Sequence, residues 1–219
     1  MFKKLLIATA ILTSSSVALA TTNGAYIGAN LGLDSVPYNM TSPTIGSSKG
    51  AFEKGTRGTA ANLFAGYGAL VSQQAYLGGE IFVGGSSVDI TTFDGTAGHN
   101  TTLTSKLRKG LSYGISFIPG YMVTDSTMLY GRAGLIRTRF NEKNTTTTLT
   151  DHIQSTLNQS ASQTVTGKQL GLGVQSDITQ NVAMRAEYTY TSYQSFNALG
   201  SKYKLKDDQV SLGLVYSFN

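Results

Sequence analysis

The sequence contains no cysteine and no tryptophan, only 3 prolines, and charged side chains make up just 13% of its 219 residues. Without cysteine there is no disulfide scaffold, no thiolate zinc or iron–sulfur site and no thiol nucleophile. Sparse charge with 40% hydrophobic residues excludes a charge-rich disordered chain, and 25 glycines without a triplet period exclude collagen. The net charge of +5, from 17 basic and 12 acidic residues, is too small and too dispersed for a nucleic-acid-binding surface. Beyond the N-terminus no apolar run reaches the ~18 residues of a spanning helix. A helical membrane protein is excluded.

What is present begins with an export signal. Lys3 and Lys4 give a positive start, residues 5–12 an apolar stretch, and Ala18-Leu19-Ala20 a small-x-small cleavage site. Residues 1–20 are therefore expected to be a cleaved signal peptide, with residues 21–219 forming one domain of charge +3. An exported chain without cysteine suits the Gram-negative envelope, where disulfides form but are not required.

The remainder alternates at period two. In residues 26–33, Ile27, Ala29, Leu31 and Leu33 share one face, with Tyr26, Gly28, Asn30 and Gly32 on the other. The same pattern recurs over 60–70, 75–85, 111–122, 128–140, 169–177, 182–191 and 209–218. Eight segments of roughly the ~9–11 residues a tilted strand needs to cross a bilayer result. Their connections alternate in length: 71–74, 123–127 and 178–181 are short, whereas 35–59, 86–110, 141–168 and 192–208 are long and rich in Ser, Thr, Asn, Gly and Lys. This rhythm predicts an all-β, eight-stranded antiparallel transmembrane barrel with short periplasmic turns and long extracellular loops. Tyr113 and Tyr190 would mark the outer interface, and Tyr121, Tyr216 and Phe218 the inner one. On the opposite face Gly28, Gly66, Gly68, Gly114, Gly134, Gly171, Gly173 and Gly213 leave room in a narrow lumen for Phe64, Tyr76, Phe82 and Tyr130.

The segments Gly24-Ala25-Tyr26-Ile27-Gly28-Ala29-Asn30-Leu31-Gly32, Tyr76-Leu77-Gly78-Gly79-Glu80 and Met184-Arg185-Ala186-Glu187-Tyr188 resemble the OmpA-type and opacity-protein-type small outer-membrane barrels. Residues 210–218, apolar at every second position and ending on Tyr216 and Phe218, resemble the terminal signal read by barrel-assembly machinery. The resemblance implies a bacterial outer-membrane location and interior charge networks.

Four charges fall on the lumen face within the strands: Glu80, Arg132, Arg185 and Glu187. Each lies five to eight residues up from a short turn, which at ~3.3 Å rise and ~40° tilt sets all four roughly 14–19 Å above the inner end. Two carboxylates against two guanidiniums in one layer can act as a gate or as a structural plug. The aromatic surroundings Phe64, Phe82 and Tyr130 favour the plug. The two histidines, His99 and His152, fall in long connections without the spacing of a catalytic set, so no catalytic, metal or cofactor site is assigned.

Thirteen basic residues (Lys49, Lys54, Arg57, Lys106, Arg108, Lys109, Arg137, Arg139, Lys143, Lys168, Lys202, Lys204, Lys206) lie in the long connections or their stems, against eight acids. Arg137 and Arg139 follow the lipid-facing alternation just past Leu135, at headgroup depth, where arginine can grip lipopolysaccharide phosphates bidentately. The resulting expectation is a monomeric, non-enzymatic surface protein, structural or adhesive through its extracellular loops. Its partners would be outer-membrane lipid and lipopolysaccharide, the assembly machinery and a host-surface ligand. The rival readings are a narrow pore or hydrophobic-solute channel, and a lipid-modifying barrel enzyme.

Overall fold

Each alternating segment is a strand, but most strands continue outward well past the point where the apolar alternation stops. The computed structural model describes residues 23–41, 52–96, 101–150, 153–198 and 201–218, and among these every regular element is β. The strands are β1 (Gly24–Thr41), β2 (Phe52–Leu70), β3 (Ala75–Ser86), β4 (Asp89–Thr96), β5 (Thr101–Thr124), β6 (Thr127–Thr150), β7 (Ile153–Asp177), β8 (Val182–Tyr193), β9 (Phe196–Ala198) and β10 (Ser201–Phe218). The expected signal peptide lies outside the described residues.

Eight strands form a closed ring in the order β1-β2-β3-β5-β6-β7-β8-β10, and β10 returns to β1 from Ala25↔Phe218 to Thr41↔Lys202. Every pairing is antiparallel; β4 joins β5 and β9 joins β10 above the ring. At the other end the strands are linked by tight turns at 71–74, 125–126 and 178–181. These turns are closed by short bonds such as Val71 N–H to the Ala75 carbonyl and Ile178 N–H to the Val182 carbonyl, both 2.8 Å.

The expected long loops are the main correction. Within 86–110, 141–168 and 192–208, most described residues are paired strand. β6 and β7 stay in register from Thr127↔Ser176 to Thr150↔Ile153 without a break. Thr145–Thr148 and the Ser/Thr/Gln-rich start of β7 carry no apolar stripe, yet β-branched threonine favours extended backbone and the ladder pairs the groups that β6 and β7 turn toward each other. Polarity had marked these stretches as loop; pairing makes them sheet.

The outer surface is apolar. Leu31 and Leu172 are each 71% exposed, and Leu63, Ile81, Ile115, Leu170 and Leu212 stand out beside them. Their partners on the inner face pack the lumen in layers. Near the turns Tyr76, Ile118, Met122, Met128 and Tyr130 form one apolar cluster; near the outer end Val36, Val88, Ile90, Leu107, Ile136, Phe140, Val165, Tyr193 and Leu205 form another. Glycine makes the aromatic packing possible at two close approaches. A Cβ on Gly28 would strike the Phe64 ring, and one on Gly173 the Tyr130 ring.

Candidate functional site

The four lumen charges read from the sequence meet. Arg132, on β6, donates through Nε to Glu187 Oε2 at 2.8 Å and through its terminal nitrogen to Glu80 Oε2. Arg185, on β8, donates to Glu80 Oε1 at 2.6 Å, so β3 supplies one carboxylate for both guanidiniums. Tyr130 hydroxyl donates to Glu187 at 2.7 Å and Tyr26 hydroxyl to Glu80 at 3.0 Å. The Arg185 guanidinium lies 4.6 Å from the Phe64 ring centre and 5.0 Å from that of Tyr130, while Arg132 stands 5.9 Å over Phe82. Gln175, which the sequence reading left without a role, accepts from Arg185 Nε and its second terminal nitrogen at 3.2 and 2.8 Å. All four charged side chains are at most 5% exposed.

A second ion cluster sits further out, and sequence reasoning missed it. Lys109 Nζ donates to Asp34 Oδ2 at 2.8 Å and also to Asp207 Oδ2. Lys109 had been grouped with the basic rim. It is 5% exposed and points inward because the β5–β6 register shifts between Lys109 and Ser112. A bulge of that kind turns the alternation over, so residues on its two sides no longer share a face. Each aspartate keeps a buried Oδ1 without a hydrogen-bond partner. Burial pushes the Asp207 carboxyl up to about 7, with Asp34 adding to the rise against the pull of Lys109. For Asp34 burial acts upward too, but the neighbouring Asp207 carboxyl and the Lys109 ammonium outweigh it and hold the group below the usual carboxylate range.

Between the two clusters lies a cavity of about 30 Å³, bordered by Asn30, Asn62, Ser112, Gln169, Arg132 and Asp207. Outside the wall Arg137 and Arg139 are exposed, beyond Leu135, opposite Thr166 and Thr164 of β7. Arg139 Nε donates to Ser162 Oγ at 2.9 Å. Lys106, Arg108, Lys143 and Lys168 are exposed on neighbouring strands; Arg108 is bound to Asp89 at 2.9 Å, whereas Lys106 stands directly opposite Lys143. The basic rim is gathered on β5–β6–β7 only in part, since Arg57 on β2 and Lys206 on β10 are exposed as well. Lys49 lies outside the described residues, as do His99 and His152. Tyr216 and Phe218 are exposed on the outer surface near the turns, their rings edge-to-face at 5.2 Å. Among the described residues no three His, Cys, Asp or Glu side chains gather as a metal site.

Solved structures with a similar chain path include neisserial surface protein A (NspA), at 20% identity over 90% of this chain and 98% of that one, TM-score 0.46. Others are OprG from Pseudomonas aeruginosa, at 17% identity over 92% and 100% of the two chains, TM-score 0.44, and Ail, the attachment invasion locus protein of Yersinia pestis, at 15% over 89% and 99%, TM-score 0.37. No curated protein matches the sequence. The profile of the outer membrane protein beta-barrel domain, however, matches residues 5–218, nearly the whole chain. With a closed ring of eight antiparallel strands, an apolar exterior and a filled interior, the chain belongs to the outer-membrane β-barrel domain family.

Proposed function

We propose that the protein is a non-enzymatic, monomeric surface protein whose barrel is an anchor and whose outward strands carry a structural or adhesive role. The observation that supports this reading is the filled lumen. Apolar clusters occupy both ends, two ion clusters lie between them, and the intervening cavity measures only about 30 Å³. Such a space takes about two water molecules and no solute. The buried carboxylates Glu80, Glu187, Asp34 and Asp207 are engaged with arginine or lysine, which suits a plug better than a catalytic centre. Outside the membrane the investment is large: β5, β6 and β7 run 24, 24 and 25 residues, where ~9–11 suffice to span.

Three further roles belong to the same reading. Residues 1–20 direct export and are removed; Tyr216 and Phe218 are read by the assembly machinery before the barrel closes. Arg137 and Arg139 hold lipopolysaccharide phosphates at headgroup depth. The test is a pair of measurements on the purified, refolded barrel: planar-bilayer conductance, and binding to host matrix proteins and glycans. Little steady conductance with saturable binding is expected. Large, stable, ion-selective channels would overturn the plug and promote the pore reading, and release of acyl chains from lipid would promote the enzyme reading.

A further inference from the structure

The outer half of β7 has one neighbour where a strand within a sheet has two. β6 accompanies it to Thr150↔Ile153, but β8 leaves it above Gly167↔Tyr193, and among the described residues no other strand takes that place. Residues 155–164 are exposed throughout. The open backbone groups can be identified. Gln194 N–H donates to the Thr166 carbonyl on the β8 side, whereas Asp177 N–H donates to the Ser126 carbonyl on the β6 side. Successive residues of a strand aim their backbone groups to opposite sides, so even-numbered residues of β7 point away from β6. Gln154, Thr156, Asn158, Ser160, Ser162 and Thr164 thus present six N–H and six C=O groups, spread over about 33 Å of strand.

Proteins ordinarily blunt such an edge with lysine, proline or a bulge, because it is a template for pairing. Residues 153–166 contain no charge and no proline, and their register with β6 has no bulge. The adjoining outer face is cationic: Arg139 lies opposite Thr164, Lys143 opposite Ser160, and Lys143 also opposes Lys106. Arg139 reaches over β7, its Nε donating to Ser162 Oγ at 2.9 Å, so these cations face the side of β7 that an added strand's outer side chains adjoin.

Resting on the surface-protein reading above, we propose that this edge takes up an extended segment of a partner protein by strand addition, the segment carrying acidic side chains on one face. Main-chain bonds would supply the affinity and the acidic row the choice of partner. A second copy in the same membrane does not fit. Its β7 would run in the same direction, and a tilt of ~40° in each barrel would cross the two strands at ~80°, too steep for a ladder.

The experiment uses the full-length barrel refolded in detergent and a fluorescent twelve-residue peptide of alternating Thr and Glu, read by anisotropy. Ser160→Pro with Ser162→Pro removes two edge-facing donors and leaves the β6 ladder intact; Ser160→Thr with Ser162→Thr keeps both. The peptide is expected to bind the wild type and the threonine variant alike, and the proline variant at least tenfold more weakly. A Thr–Lys peptide should also bind at least tenfold more weakly. Equal binding to the proline variant, in a barrel whose folding is verified by circular dichroism, would mean charge alone holds the peptide and would overturn strand addition. No binding to the wild type would overturn it too. Self-association of the wild-type barrel in detergent that the proline variant lacks would make another copy the occupant and overturn the acidic partner. Conductance is measured on the same preparations after insertion into planar bilayers, so an open pore would count against the surface-protein reading separately.

Discussion

Replacing Arg132 by alanine tests whether the lumen is a dry plug. Arg132 holds Glu80 and Glu187 together, with Nε 2.8 Å from Glu187. Two unit charges ~4 Å apart attract by about 4 kcal/mol at an effective dielectric of ~20. Arg132 makes two such pairs and is opposed by the nearby Arg185. After Arg132→Ala, Glu80 keeps Arg185 and Tyr26, while Glu187 is left with the Tyr130 hydroxyl. The cluster then carries one uncompensated negative charge. Breaking a buried pair from one side costs about 3–5 kcal/mol, and that is the expected loss. The double replacement Arg132→Met with Glu187→Leu removes both members of the pair and leaves Glu80 with Arg185 neutral. Glu80 Oε2 loses its Arg132 donor in both variants, so the polar cost particular to the double one is the stranded Tyr130 hydroxyl, about 1–3 kcal/mol. The double variant should therefore be more stable than the single one. Urea titration of barrels refolded in phospholipid vesicles measures both. A double variant at least as destabilised as the single would refute the plug, since a water-filled lumen screens Glu187 and rewards no removal of its charge.

Three other outcomes are expected. The raised Asp207 carboxyl favours the folded state most below its ordinary value near 3.8 and loses that contribution as pH rises through about 7, so thermal stability should fall across this window. Asp34, held low, acts in reverse only below its ordinary value, and Asp207→Asn should flatten the decline between pH 4 and 7; an unchanged slope would count against the raised Asp207 carboxyl as its source. Single cysteines at Thr146 and Ser126 should differ toward a membrane-impermeant reagent on intact cells, with Thr146 labelled; labelling of Ser126 alone would invert the barrel. Arg137→Ala with Arg139→Ala should lower thermal stability more in lipopolysaccharide-containing membranes than in zwitterionic detergent, and equal losses would confine both arginines to contacts within the protein.

The ring was legible because the membrane imposes one simple code. Lipid outside and a packed lumen inside force apolar and small or polar residues to alternate, and Ile27, Ala29, Leu31 and Leu33 do so in the structure as in the sequence. Beyond the bilayer that code ends. Residues 155–164 are exposed throughout, so nothing in their composition distinguishes a strand from a loop. Only the neighbour settles it: Thr145 through Thr148 pair with residues 155–158 one by one. The inner ion cluster was legible for the same reason as the ring, since Glu80, Arg132, Arg185 and Glu187 all sit within alternating segments. Gln175 lay on the correct face there, but nothing in the sequence aims an amide at a particular guanidinium.

The outer ion cluster divides more instructively. Asp34 continues the lumen alternation of Asn30 and Gly32, and Asp207 that of Gln209 and Ser211, so extending each strand by one step would have turned both carboxylates inward. Lys109 resists that argument. Counting back from Leu111 and Tyr113, both exposed on the outer surface, assigns it to lipid. An ammonium there would lie at the edge of the apolar band, while two buried aspartates would lack a cation inside. The shift between Lys109 and Ser112 resolves both difficulties at once, carrying Lys109 to Asp34 and Asp207 and leaving Arg108 outside with Asp89. The alternation on either side of the bulge is regular, and Gly110 inside the shifted stretch is the one residue that marks a break; the charge balance says which way it turns the chain. Two inward carboxylates on adjoining strands demand a partner, and the cation that the alternation misplaces is the one that supplies it.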